Sequence, residues 1–204
     1  MIVIVDFGMG NLGSIANMFK KVGAPALISS RSKDISDADQ LVLPGVGAFD
    51  TGMRCLKETG LVPLLREKVM QGKTPTLGIC LGMQLMTEAS EEGGMAGLGW
   101  IKGRTVRFPR TIGLRVPHMG WNTVSRRKLC PLLDHLGPEP RFYFVHSYHV
   151  VCDQPDDILT LTRYSYDFAS AFSHGNIFGL QFHPEKSHRF GMQLFRNFSG
   201  LVAG

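Results

Sequence analysis

A chain of 204 residues that is 44% hydrophobic and 19% charged has the balance of an ordinary globular protein, with no low-complexity tract, internal repeat or long linker. No window approaches the ~20 apolar residues of a membrane span, and the four cysteines (Cys55, Cys80, Cys130, Cys152) show neither a CxxC pair nor a metal-ligand spacing. The formal charge of +5 is unevenly spread: no acidic residue lies between Glu92 and Asp134, where Lys102, Arg104, Arg107, Arg110, Arg115, Arg126, Arg127 and Lys128 fall.

That basic stretch is either a solvated face or a surface for an acidic partner. No nucleic-acid motif or aromatic platform accompanies it. With no basic region ahead of the opening apolar run, the scattered thiols point to a cytoplasmic chain kept reduced. The length favours a single domain over residues 1–204, with a core large enough to need no staples.

In chain order, "IVIVDF" (2–7) predicts a buried strand. "NLGSIANMFKKVG" follows with Leu12, Ile15, Met18, Phe19 and Val22 on one helical face, and Gly23 stops it. "APALISS" and "DQLVLPG" predict two more strands, and helices are expected around 50–58 and 61–71. "TPTLGI" is a fourth strand, with "LGMQLMTEA" as its helix. This alternation predicts a three-layer α/β/α fold around a mainly parallel sheet. After Gly93 the pattern changes. "GWIKGRTVRF", "PHMGWNTV", "RFYFVHSYHV", "ILTLTRY", "ASAFSHG" and "NIFGLQFH" all read as strands joined by short turns, so antiparallel additions are expected in the C-terminal half. "HRFGMQLFRNFSGLV" is the closing helix.

Three stretches carry chemistry. In Gly78-Ile79-Cys80-Leu81-Gly82 a cysteine sits at a strand-to-helix turn, the geometry of a nucleophile elbow. The turn is tight enough to need small residues at the −2 and +2 positions. A helix starting after Cys80 would aim its N–H groups at the sulfur and favour the thiolate, the nucleophilic form. The Leu81 N–H is placed to donate to an oxyanion. The competing reading is a buried structural cysteine.

"GLQFHPEKS" offers a base and its orienter, His183 and Glu185. Residues two apart on a strand share a side, so Glu185 can hold one imidazole nitrogen while the other faces the sulfur. Parallel strand ends gather on one sheet edge, which lets His183 meet Cys80. The competing reading is a surface turn. The remaining histidines stand in no comparable setting. "LPGVGAF" (43–49) opens into a glycine-rich loop whose Val46 or Gly47 N–H could be a second oxyanion donor.

One motif points elsewhere. Gly8-Met9-Gly10-Asn11-Leu12-Gly13 satisfies the G-x-G-x-x-G dinucleotide pattern after a strand and before a helix. The acidic residue expected after the second strand is missing, and Arg31 could suit a 2′-phosphate, so an NADP-binding module is the rival from another class. It leaves the cysteine and His-Pro-Glu stretches unexplained.

"PGVGAF", "GICLGMQ" and "FHPEKS", in this order, resemble the class I (triad-type) glutamine amidotransferases. "DFGMGNLGS", "PHMGWN" and "FYFVHSY" are similar to one branch of them, the glutaminase subunits of imidazole glycerol phosphate synthase in histidine biosynthesis. The resemblance implies a flavodoxin-like sheet. It implies a Cys80 nucleophile, His183 as proton shuttle and Glu185 as orienter. It implies substrate contacts from Gln84, Ser147 and Tyr148, and no metal or organic cofactor. A separate (β/α)8 cyclase subunit would receive the ammonia, with Asn11, Trp121 and Lys186 at the interface. Glutaminases of other pathways, a γ-glutamyl hydrolase or a scaffold without catalysis are the neighbouring alternatives.

Overall fold

The computed structural model describes residues 1–109 and 114–202. Strands β1 (Ile2–Val5), β3 (Gln40–Leu43) and β4 (Thr76–Ile79) are buried along their whole length. So is the last strand of the chain, Ile177–Leu180. Burial on both faces is what a parallel sheet wrapped by helices requires. β2 (Ala26–Ser29) is half exposed and forms the edge.

Along β1 the alternation sends Ile2 and Ile4 to one face and Val3 and Val5 to the other. The first face packs on α1 (Leu12–Lys21) and on the C-terminal helix His188–Ser199, where Phe19 and Phe195 meet at 4.5 Å. The second packs on α2 (Ser32–Ser36), α3 (Phe49–Glu58) and α4 (Val62–Arg66), which continues as a π-helical turn over Glu67–Gln71. The sequence pattern does not predict α2: its polar stretch "SKDIS" buries only Ile35 and gives no helical stripe to read.

The short helix α5 (Leu81–Leu85) follows β4 and is far shorter than the "LGMQLMTEA" pattern predicts. Its carbonyls are claimed by another segment: the N–H groups of Leu98 and Trp100 donate to Leu85 and Met86, and the Thr87 hydroxyl donates to Gln84. Ala89–Ser90 then forms β5 beside β6 (Gly103–Arg107).

The remaining strands are β7 (His118–Thr123), β8 (Ser125–Arg126), β9 (Arg141–His146), β10 (Tyr148–Cys152), β11 (Ile158–Tyr164), β12 (Tyr166–His174) and β13 (Ile177–Leu180). The closing helix is α6. Sheet order is β2-β1-β3-β4-β13-β12-β10-β6-β5, with β11 on β12 and β8 on β11. The first five are mutually parallel, in the order of flavodoxin-type sheets. β12, β10 and β6 continue the sheet antiparallel.

The sequence reads "RFYFVHSYHV" as one strand. The structure breaks it at Ser147. β9 pairs with β7 in a separate two-stranded sheet, while β10 joins the main sheet. Burial alternates through Phe142, Phe144 and His146, then slips by one residue to His149. His146 closes the bend through a 2.7 Å bond from its Nδ1 to the Tyr148 carbonyl. Among the described residues no helix is long and apolar enough to cross a membrane.

Candidate active site

The carboxyl ends of β3, β4 and β13 lie side by side, and each delivers one part of the site. Cys80 follows β4 directly, at φ +52° and ψ −106°. A non-glycine residue in that region stores about 1–3 kcal/mol of backbone strain. The turn is held by a 2.7 Å bond from the Cys80 N–H to the Leu180 carbonyl. A Cβ on Gly78 would lie 2.8 Å from the Met83 nitrogen, and one on Gly82 would lie 1.8 Å from the Leu43 oxygen. Both glycines are therefore sterically demanded. With only five residues, α5 is a short dipole, so the electrostatics at Cys80 rest chiefly on its side-chain neighbours.

His183 is one of them. Its Nδ1 is 2.7 Å from Glu185 Oε1, with both side chains almost wholly buried. The pairing does not come from strand alternation, because β13 ends at Leu180 and Pro184–Lys186 form a 3-10 turn that folds Glu185 back. Ser187 clamps this turn to β9: its hydroxyl donates to the His183 carbonyl at 2.6 Å and accepts from the Tyr143 N–H at 3.0 Å. The second nitrogen, Nε2, is buried and meets no nitrogen or oxygen partner. Burial alone pushes the His183 pKa down. The Cys80 side chain on the Nε2 side and Glu185 on the other outweigh that and hold it up at about 9.

A cavity of about 350 Å³ opens over Cys80 and His183. Gln84, Ser147, Tyr148, Val46, Gly47 and Leu81 all line it. The Arg107 guanidinium lies over the Tyr148 ring at 5.8 Å. Three further residues belong here that the sequence patterns do not single out. Glu92 lines the cavity; its Oε2 accepts from the Phe49 N–H at 2.9 Å, which leaves Oε1 for a ligand. His146 lines it as well. Gln181, fully buried, directs its Nε2 toward Cys80 Sγ at 3.8 Å. The legible signal for Gln181 is its place two residues before His183.

The oxyanion donors are not assembled as expected. The Leu81 N–H already donates to the Gly45 carbonyl at 3.3 Å. A trans peptide points its C=O and N–H in opposite directions, so the Val46 N–H of that same peptide is turned away from the elbow. Gly47, at φ +112°, continues the loop beyond it.

Two of the expected interface residues, Trp121 and Lys186, meet at the Tyr143 ring. Asn11 caps α1, its side chain accepting from the Ser14 N–H. Trp121 is 41% exposed on β7, edge-on to Tyr143, and the exposed Lys186 places its ammonium 5.7 Å from the same ring. The dinucleotide pattern has another explanation. A Cβ on Gly10 would come within 3.2 Å of Pro44 and Gly45, so this glycine lets two protein loops pack. A Cβ on Gly13 would meet nothing within 4 Å, so the close helix–strand contact that demands the third glycine of a dinucleotide fold is missing.

The basic stretch is not one surface. Arg126 donates to the Leu133 carbonyl and Lys128 to those of Asp156 and Ser173, so both brace loops. Arg110 lies outside the described residues.

Residues 3–200 match the family model "Glutamine amidotransferase class-I". The chain is 52% identical to "Imidazole glycerol phosphate synthase subunit HisH 2" of Pseudomonas aeruginosa, covering 99% of this chain and 100% of that one. It is 54% identical to the protein of the same name from Methanococcus maripaludis, covering 97% and 98%. Among solved structures, a glutamine amidotransferase of Thermotoga maritima aligns with a TM-score of 0.64 at 18% identity, over 90% of this chain and 75% of that one. PurLQS of Thermotoga maritima aligns with a TM-score of 0.72 at 16% identity, over 97% and 96%. These two likenesses speak to the fold alone. The chain belongs to the class-I glutamine amidotransferases, in the branch formed by the HisH subunits of imidazole glycerol phosphate synthase.

Proposed function

We propose that this chain is the glutaminase subunit of an imidazole glycerol phosphate synthase, hydrolysing L-glutamine to glutamate and passing the ammonia to a cyclase subunit in histidine biosynthesis. The observation that carries it is Cys80 at the tip of a strained elbow, beside a buried His183–Glu185 pair. The hydrolysis belongs to this chain, and the lyase chemistry to its partner. The reaction is placed in the cytoplasm, in keeping with four unpaired cysteines.

The Cys80 sulfur attacks the side-chain amide carbon. The carbonyl electrons move onto oxygen, and collapse of that oxyanion expels ammonia as His183 Nε2 delivers a proton to it. Water then attacks the thioester with His183 taking its proton, and glutamate leaves with Cys80 restored. Glu185 keeps the Nδ1 hydrogen in place, so Nε2 stays free for both transfers. Glu92 Oε1 takes the α-ammonium of glutamine. Gln84 contacts the substrate glutamine, and Ser147 and Tyr148 hold its amino-acid end.

Ammonia released into water at neutral pH is protonated and no longer nucleophilic, so a sealed path through the partner is a chemical requirement. Asn11, Trp121 and Lys186 are assigned to that interface. The Gly45–Val46 peptide supplies the control: with its carbonyl on the Leu81 N–H the oxyanion has no donor pair, and a flip of this peptide creates one. An oxyanion donor is worth about 10²–10³ in kcat. Steady-state ammonia release is therefore expected to be weak from the isolated chain and to rise by that order with the cyclase and its ligand. Equal rates in both conditions would remove this reading. A glutamine-mimicking electrophile should label Cys80 alone among the four thiols, and Cys80→Ala should abolish the label.

A further inference from the structure

Two buried histidines that the triad does not use, His118 and His146, form a hydrogen-bonded line whose direction can be worked out. It starts from one backbone carbonyl, Tyr148 O. A carbonyl only accepts, so the His146 nitrogen 2.7 Å away, Nδ1, carries hydrogen. A neutral His146 then has a bare Nε2, and His118 Nδ1 at 3.0 Å must donate to it. That leaves His118 Nε2 as an acceptor, and Asn122 Nδ2 donates to it at 3.2 Å. The opposite end agrees independently. Asn122 Nδ2 also reaches the Arg163 carbonyl at 3.1 Å, which again demands an N–H.

The same Tyr148 carbonyl roots a second branch. Gln84 Nε2 donates to it at 3.2 Å and to Gln181 Oε1 at 3.2 Å. Gln181 is thereby oriented with its Nε2 toward Cys80. Every member has one consistent role, so the network is satisfied from the Arg163 carbonyl to the sulfur. Both imidazoles must be neutral for this to hold. Burial lowers the pKa of His118 to about 4 and that of His146 to about 3. Phe108, Phe144 and Tyr164 pack against the rings and exclude water.

We propose that His118, His146 and Asn122 are positioning residues of the glutaminase site. They hold the Tyr148 carbonyl, and through it Gln84 and Gln181, and they tie the cavity over Cys80 to the two-stranded sheet that carries Trp121. The proposal rests on the glutaminase reading above. His118 stands back from the cavity and His146 lines it, but neither is assigned to hold glutamine or to act on the reacting atoms. Their effect is on where the substrate-binding segment sits and on the hydrogen bond that Gln181 makes to the sulfur.

Two measurements test it, and they fail separately. Long-range ¹⁵N NMR of the imidazoles at pH 7, assigned with His118→Asn and His146→Asn, reads the network without reference to activity. Both rings are expected as the neutral Nδ1–H tautomer, and an Nε2–H tautomer or an imidazolium at either overturns the proposal. Glutamine kinetics of the complex with the cyclase give the second. His118→Leu, which breaks the line, is expected to raise KM about tenfold, the size of one lost buried hydrogen bond, with kcat changed by less than about threefold. His118→Asn keeps a donor at the Nδ1 position and is expected to recover most of that loss. An unchanged KM, or a fall in kcat with no recovery by asparagine, overturns the proposal. Should His118→Leu not fold, Asn122→Ala at the half-exposed end is expected to raise KM about threefold, and no change there overturns it equally. No ammonia release from the wild-type complex would remove the glutaminase reading, and the proposal with it, whatever the tautomers.

Discussion

At His183 two opposed effects meet, and the larger sum decides the state of the proton. Burial disfavours the imidazolium, but Cys80 and Glu185 hold its pKa at about 9. Since the folded value lies above the ordinary 6.5, the stabilisation of the charged ring is complete below pH 6.5. It is lost as pH rises through about 9. Removing one of the two supports should move that loss downward: Glu185→Gln is expected to shift the alkaline limb of kcat/KM to lower pH. It is also expected to lower kcat by about 10²–10⁴, because the Nδ1 hydrogen loses its charged acceptor. A pH–rate profile of both proteins checks this; an unmoved limb would separate Glu185 from the imidazole. Glu92 gives a different signature. It lines the cavity and is assigned to the ammonium of glutamine rather than to the reacting atoms, so Glu92→Gln should raise KM for glutamine at least about tenfold with kcat largely kept.

At the scale of the elements, glycines separate what the elbow needs from what merely resembles a motif. Gly82→Ala would put a methyl group 1.8 Å from the Leu43 carbonyl oxygen, which belongs to β3 and cannot give way. Denaturant unfolding should show a loss above about 2 kcal/mol, with glutaminase activity abolished. Gly13 sits in the first turn of α1 with open space around its Cα. Gly13→Ala should therefore stabilise the protein by about 0.5–1 kcal/mol and leave catalysis intact. A loss of stability there would mean that the glycine pattern of this loop has a role beyond letting Gly10 pack. The elements also show how far period and propensity carry. β1 is readable because burial on both faces leaves an unbroken apolar run, and β3 and β4 are readable because only their first residues, Gln40 and Thr76, are polar. The helix after Cys80 reads as nine residues and has five, because its last carbonyls are taken by donors from Leu98 and Trp100, which no local pattern contains.

At the scale of the whole molecule, the active centre is spread over segments far apart in sequence, and its stability depends on pH through residues outside the triad. His118 and His146 are neutral in the fold with pKa values of about 4 and 3, while the unfolded chain protonates both near 6.5. The unfolded state binds more protons, so stability is full above about pH 6.5 and falls as acid is added down to those lower values, by up to ~1.4 kcal/mol per pH unit for each ring. Urea unfolding at pH 7 and pH 4.5 should thus show a smaller acid loss for His118→Asn than for the wild type. Parallel losses would mean that the ring is not held neutral by the fold.

The sequence alone determined the layered architecture, the glycine-flanked elbow at Cys80 and the His183–Glu185 pair. Each leaves a mark within a few residues or in the period of one element, although Leu43 and Tyr143, far away in sequence, complete the elbow and the turn. It also carried the family, because the motifs occur in a fixed order along the chain. Only the tertiary structure decided which way the Gly45–Val46 peptide faces, that Glu92 and His146 reach the cavity, and that one carbonyl at Tyr148 orients side chains from His118 to Gln181. The reason is physical. A peptide plane or an amide side chain can turn over at small cost in an open chain, and its direction is settled only when partners from distant segments close around it and every buried donor must find an acceptor.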